Sequence, residues 1–240
     1  MTMWQDGWLA RRVRLAGRGV AALLLALWLA GTGAVQAQGV VTEIGRLAVD
    51  FWPDYDRAAV LVLISAEFTP TGSPRTVTLP LPDEGELHVV ARFGDDGQLY
   101  DDVPWSLNPS PRSVTITTTA SRVLLEYYAP YQVSGDQVSY RFEWQAPLTI
   151  ATFDLAVQQP VAATALALQP PAEQMVRRSD GLLYHVAAPR SVAAGQRVTH
   201  DFRYTMPVPA LSAGSSSVPP APSAPPVPND QNPFTWPMVV

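Results

Sequence analysis

DFWPDYDRAAVLVLISAEF, residues 50–68, decides the fold. It opens on an acidic, aromatic corner made of Asp50, Phe51, Trp52, Pro53, Asp54, Tyr55 and Asp56. It then runs into Ala58–Ile64, the most apolar run downstream of residue 40. A short, bounded, β-branched run of this kind predicts a strand buried on both faces, with shorter alternating strands packed around it.

Outward from that stretch, no segment between Val40 and Met206 shows a helical period. Strand-like alternation recurs instead, broken by Pro, Gly and Asp clusters. Ile44–Phe51, Arg75–Leu81 and Leu87–Phe93 precede a Gly94-Asp95-Asp96-Gly97 turn whose Asp-Gly pair signals a tight hairpin back through Gln98–Val103. Ser113–Thr118 and Arg122–Ala129 read as another hairpin. Further on, Val138, Tyr140, Phe142 and Trp144 alternate with Ser139, Arg141 and Glu143. In the last strand Val198, His200, Phe202 and Tyr204 share one face. Many short strands at this spacing predict an all-β fold of antiparallel β-sandwiches rather than a parallel α/β sheet. A division near Pro130-Tyr131 gives a first sandwich lobe over 38–130 and a second over 131–206. One continuous sandwich is the alternative.

The ends carry different information. Residues 1–37 have the form of a cleaved signal peptide: Arg11, Arg12, Arg14 and Arg18, then the apolar Val20–Ala30, then small residues at Ala34 and Ala37. The apolar run is short for a membrane span. Arg14 stands where a twin-arginine signal wants an apolar residue, so the general secretory route is expected. Residues 207–240 form a Pro/Ser/Ala-rich stalk with little to bury, which favours polyproline-like extension. It closes on Phe234, Trp236, Met238 and Val240, residues suited to a membrane interface, so a membrane anchor is expected beyond it.

Composition narrows the function. With 24 prolines, part of the chain must be extended rather than packed. The absence of cysteine excludes disulfides, thiolate metal sites and thiol nucleophiles. All 16 basic residues are arginine, and without residues 1–37 the formal charge becomes about −8. Such a domain is a poor match for nucleic acid or anionic lipid, which need a concentrated cationic surface.

No residue pattern carries a reaction, so no catalytic residue, metal ligand or cofactor is assigned. A calcium loop in GDDGQLYDD would need acids where Gly94 and Tyr100 stand. His88, His185 and His200 lack zinc spacing, and His200, on the apolar face of its strand, reads as a core residue. There is no G-x-S-x-G elbow. Glu126 and Glu143 are the only pair that suggests glycoside hydrolysis, and both fall on polar strand faces with arginines near by in sequence. The remaining signal is aromatic. Trp52, Asp54, Tyr55 and Asp56 at the corner, together with Trp105, are the expected partner- or glycan-binding residues.

The layout of signal, β-rich body, Pro-rich stalk and apolar end resembles that of exported bacterial β-sandwich proteins held at the cell surface by a stalk and membrane tether. The resemblance covers the whole chain as architecture, and no motif transfers a functional residue. It implies an extracytoplasmic location, at the periplasm or cell surface. The expected function is a non-enzymatic interaction module that binds an envelope protein partner. A carbohydrate-binding module using exposed Trp and Tyr is the alternative, and an envelope glycoside hydrolase a remote one.

Overall fold

In the computed structural model the run at residues 58–68 forms β3 (Val60–Glu67), and Val60 to Ala66 are all buried. The structure describes residues 39–69 and 73–213, so the segment expected to be a signal peptide and all but the first residues of the expected stalk lie outside the described residues. Those residues contain seventeen strands, numbered here in chain order, and no helix. The body is all-β.

β3 pairs antiparallel with β2 (Glu43–Pro53) and β9 (Arg122–Ala129). Beyond β9 come β5 (Glu86–Phe93) and β6 (Leu99–Tyr100). Beyond β2 comes β12 (Thr149–Gln158), which carries β15 (Leu183–Val186) and β16 (Arg190–Val192) along its other side, and β15 carries β14 (Gln174–Arg177). These nine strands make one sheet. A second sheet has the order β1 (Gly39–Val40), β4 (Arg75–Pro80), β8 (Arg112–Thr118), β7 (Trp105–Pro109). The third has the order β10 (Gln132–Ser134), β11 (Gln137–Gln145), β17 (Arg197–Thr205), β13 (Ala165–Gln169).

One core joins all three sheets. Val62, Ile64, Leu125 and Tyr127 of the nine-stranded sheet meet Val77, Leu79, Val114 and Ile116 of the second and Phe142, Trp144, Val198 and Phe202 of the third. The Trp144 indole N–H also donates to the Pro80 carbonyl at 3.2 Å, tying the third sheet to the second. The alternation expected of β11 and β17 holds across their whole register, which pairs Val138 with Tyr204, Phe142 with His200 and Trp144 with Val198 on the buried face. The turn at residues 94–97 is tight as expected: the Gly94 N–H donates to Gln98, and Gly97 takes the left-handed φ of 76° that glycine tolerates.

Three expectations change. β8 and β9 are not a hairpin, because they belong to different sheets and present their apolar faces to the shared core from opposite layers. Pairing is not wholly antiparallel, since β12 lies parallel to β2 and β1 parallel to β4. Pro130 does not separate two cores. It falls between β9 and β10, while β12, from beyond it, pairs directly with β2, and the main cluster draws on both sides.

Candidate functional site

The corner that follows β2 is a hydrogen-bonded knot, although the Trp52 indole N–H and the Arg57 Nε are buried with no hydrogen-bond partner among the described residues. Asp54 takes a φ of 48°, the left-handed region that Asp tolerates better than most residues. Its side chain is 2% exposed and receives two tyrosine hydroxyls: Tyr131 donates to Oδ1 at 2.7 Å, and Tyr204 donates to Oδ2. The Ser212 and Ala213 N–H groups donate to the carbonyls of Asp54 and Tyr55, so the end of the described chain is strapped to the same corner. Asp56 accepts from the Tyr128 hydroxyl at 2.7 Å, while Arg57 lies over the Tyr128 ring and pairs with Glu86. Burial pushes the Tyr131 and Tyr204 hydroxyls well above the usual phenol range, and the Asp54 hydrogen bond adds to this.

Trp52 and Tyr55 pack against each other at 4.7 Å and against Tyr184, all on the face of the nine-stranded sheet that looks away from the main core. There Asp50 is buried and paired with Arg178 at 2.8 Å. Trp52, Tyr55, Asp54 and Asp56 thus lie together: Trp52 and Tyr55 are half-buried, Asp54 is buried, and only Asp56 is exposed, its carboxylate accepting from Tyr128.

Trp105 is not brought to that corner. It lies on β7, at the edge of the second sheet, 48% exposed, with Leu107 beside it at 45%. Trp105 stands opposite Ile116 and Leu107 opposite Val114. Cross-strand partners share a face, so both exposed side chains point the same way as two fully buried core residues. The core layer continues onto β7 and is left uncovered there. Leu107 is the residue that the sequence reading missed. Its signal was the Trp105-x-Leu107 alternation, masked by Pro104 and Pro109.

The other candidates scatter. Glu126 sits on the nine-stranded sheet between Leu63 and Val89, whereas Glu143 lies on β11 in the third sheet beside Arg197, so that pair shares no cleft. Burial raises the Glu126 carboxyl above its ordinary range; His88 opposes the rise and the Asp56 charge adds to it. A raised folded value means that ionisation costs stability as pH climbs past the unfolded value. Glu126→Gln should therefore stabilise the protein in urea at pH 7 and lose that advantage at pH 4. Equal midpoint shifts at both values would contradict this. Asp96 accepts from the Gln98 N–H and the Tyr100 hydroxyl, and Asp102 holds Arg92 in a bidentate pair. His200 is buried in the core, stacked on Phe51. A groove of about 960 Å³ opens beside the third sheet, lined by Tyr131, Gln132, Arg141, Glu143, Asp201 and Arg203 among others.

No family model and no curated protein matches the chain. Among solved structures it is similar to a candidate protease from Parabacteroides distasonis ATCC 8503, at 16% identity and a TM-score of 0.33. That match covers 69% of this chain and 40% of the other, so the chain spans less than half of that protein's length. At this TM-score the likeness says nothing about activity.

Proposed function

We propose that this chain is an exported, non-enzymatic β-sandwich interaction module of the cell envelope, held at a membrane through its Pro/Ser/Ala-rich segment, and that it captures a protein partner. The observation that carries the proposal is the apolar pair Trp105 and Leu107, nearly half exposed on the core-side face of an edge strand. Large apolar side chains that continue a core yet remain uncovered mark an interaction surface. The contact surface therefore moves from the Trp52–Asp56 corner to β7, and only Trp105 is retained from the original set.

The double variant Trp105→Ala, Leu107→Ala should lower recovery of a cross-linked partner from the native envelope about tenfold or more, as expected when a buried aromatic anchor is removed. Its unfolding midpoint should stay close to the parent, because neither side chain is enclosed. Unchanged recovery would remove the proposal. The glycan reading has one observation in its favour, the groove that sets Tyr131 beside the Arg141–Asp201 pair. Retardation in polysaccharide affinity gels that Arg141→Ala abolishes would favour it over protein capture.

A further inference from the structure

We propose that the partner docks as an added β-strand along β7, through an extended segment that is apolar at alternate positions and basic at the end meeting Asp101. This rests on partner capture at Trp105 and Leu107 and specifies the chemistry of what is captured.

The hydrogen-bond phase of β7 can be read from its flanks. The Thr117 N–H donates to the Pro104 carbonyl at 2.9 Å, and on the far side of β8 the Leu81 N–H donates to the Arg112 carbonyl at 3.0 Å. In an antiparallel ladder, bonded and non-bonded pairs alternate. Ser106 and Asn108 therefore exchange bonds with β8, while the N–H and C=O groups of Trp105 and Leu107 turn to the open edge. Pro109 falls in the same outward phase, where a missing N–H removes nothing from β8. Among the described residues no strand pairs with this edge.

A strand laid there, about 4.8 Å from β7, would place the residues opposite Trp105 and Leu107 on the uncovered core-side face. These positions call for apolar side chains. The intervening positions would join the outer face, where Thr78 and Thr115 share a hydrogen bond and Asn108 donates to Thr115 and Ser113, so these call for small polar ones. Residues 103–109 carry no charge, and the lysines or inward charges that usually guard an edge strand are missing. Just before this stretch, Asp101 is exposed and Asp102 is paired with Arg92. Antiparallel addition, the commoner mode, brings the incoming strand's C-terminal end to the N-terminal end of β7, which the exposed Asp101 precedes closely in the chain, so a basic residue at that end is complementary in charge. This is recognition by sheet-edge addition.

The test uses the full chain and a short synthetic peptide alternating threonine and valine and ending in lysine. In the free protein the Trp105 and Leu107 amides should exchange with deuterium quickly and those of Ser106 and Asn108 slowly. Peptide should slow Trp105 and Leu107 by about tenfold or more, as new ladder bonds require. Leu107→Pro removes one outward N–H and no native bond, so it should weaken peptide binding by about tenfold. The same peptide N-methylated on its facing edge should bind equally poorly to the unaltered protein, which keeps the test decisive if Leu107→Pro does not fold. Strand addition is overturned if the Trp105 and Leu107 amides gain no protection, or if the N-methylated peptide binds as well as the parent. Partner capture would survive either result provided that the Trp105→Ala, Leu107→Ala variant still loses it. Amides already protected in a peptide-free, concentration-dependent dimer would also overturn the proposal, by showing a second copy as the occupant.

Discussion

Asp54→Ala is expected to cost about 3–5 kcal/mol of folding stability in urea titrations, because charge-assisted hydrogen bonds contribute roughly 1.5–3 kcal/mol each. Asp54 accepts two of them, from Tyr131 and from the buried Tyr204. Alanine leaves the Tyr204 hydroxyl buried without its acceptor. It also places a residue with no αL preference at a φ of 48°. Asn tolerates that φ and keeps one acceptor oxygen, so Asp54→Asn should lose about half as much. Gly removes the backbone strain but supplies no acceptor for either hydroxyl, so Asp54→Gly should lose less than alanine by about 1 kcal/mol. A double-mutant cycle of Asp54→Ala with Tyr204→Phe should show coupling of about 2 kcal/mol, within the range for contacting groups. A loss below about 1 kcal/mol for Asp54→Ala would mean that the carboxylate is not what holds this corner, since surface substitutions stay near ±0.5 kcal/mol. The corner also carries the end of the described chain through Ser212 and Ala213. Its loss should therefore loosen residues 206–213 first, visible as faster amide exchange there.

That corner shows where sequence reading stops. The period-two faces of β11 and β17 and the two-sided burial of β3 were legible, because each depends only on which neighbours along one strand are apolar. The role of Asp54 was not. Its partners lie 77 and 150 residues away, and nothing in DFWPDYD distinguishes an acid that receives two hydroxyls from one that meets solvent. The same limit explains the misplaced division at Pro130. The parallel contact of β2 with β12 joins segments about a hundred residues apart, and alternation fixes which face is buried but not which strand lies alongside. The hairpin expected of residues 113–129 failed for that reason too: both strands have an apolar face, and both send it to one core from different sheets. β7 was hidden differently. Pro104 and Pro109 read as breakers, although Pro104 stands just before the strand and still offers its carbonyl to Thr117, and Pro109, in the outward phase of an edge strand, breaks nothing. Of the five residues expected at a contact surface, Trp52 and Tyr55 are half-buried, Asp54 is buried under two tyrosine hydroxyls, Asp56 is exposed, and Trp105 lies apart from them on the uncovered face of β7.

His200 provides the second large effect, and it depends on pH. The ring is 1% exposed on the buried face of β17, opposite Phe142 and stacked on Phe51, and its Nε2 has no hydrogen-bond partner among the described residues. Burial lowers its pKa from the ordinary 6.5 to about 4; the Asp201 charge opposes that fall and Arg190 adds to it. The folded state thus holds the ring neutral while the unfolded chain takes up a proton from about pH 6.5 downward. Between these two values the unfolded state binds more protons, so stability is fully present above pH 6.5 and is lost as pH falls towards 4. At 1.36 kcal/mol per unit the loss reaches about 3 kcal/mol near pH 4. His200→Phe keeps a ring of similar size and removes the titration. The stability difference between this variant and the parent should be flat above pH 7 and should move in the variant's favour by about 3 kcal/mol by pH 4. Carboxylates such as Asp201, held low by Arg141, also destabilise the fold when protonated, but they do so in both proteins and cancel in the difference. A pH-independent difference would show that His200 is already protonated in the fold or is hydrated within it. The imidazole proton shifts, followed by NMR through the same range, would then report a midpoint near 6.5 instead of about 4.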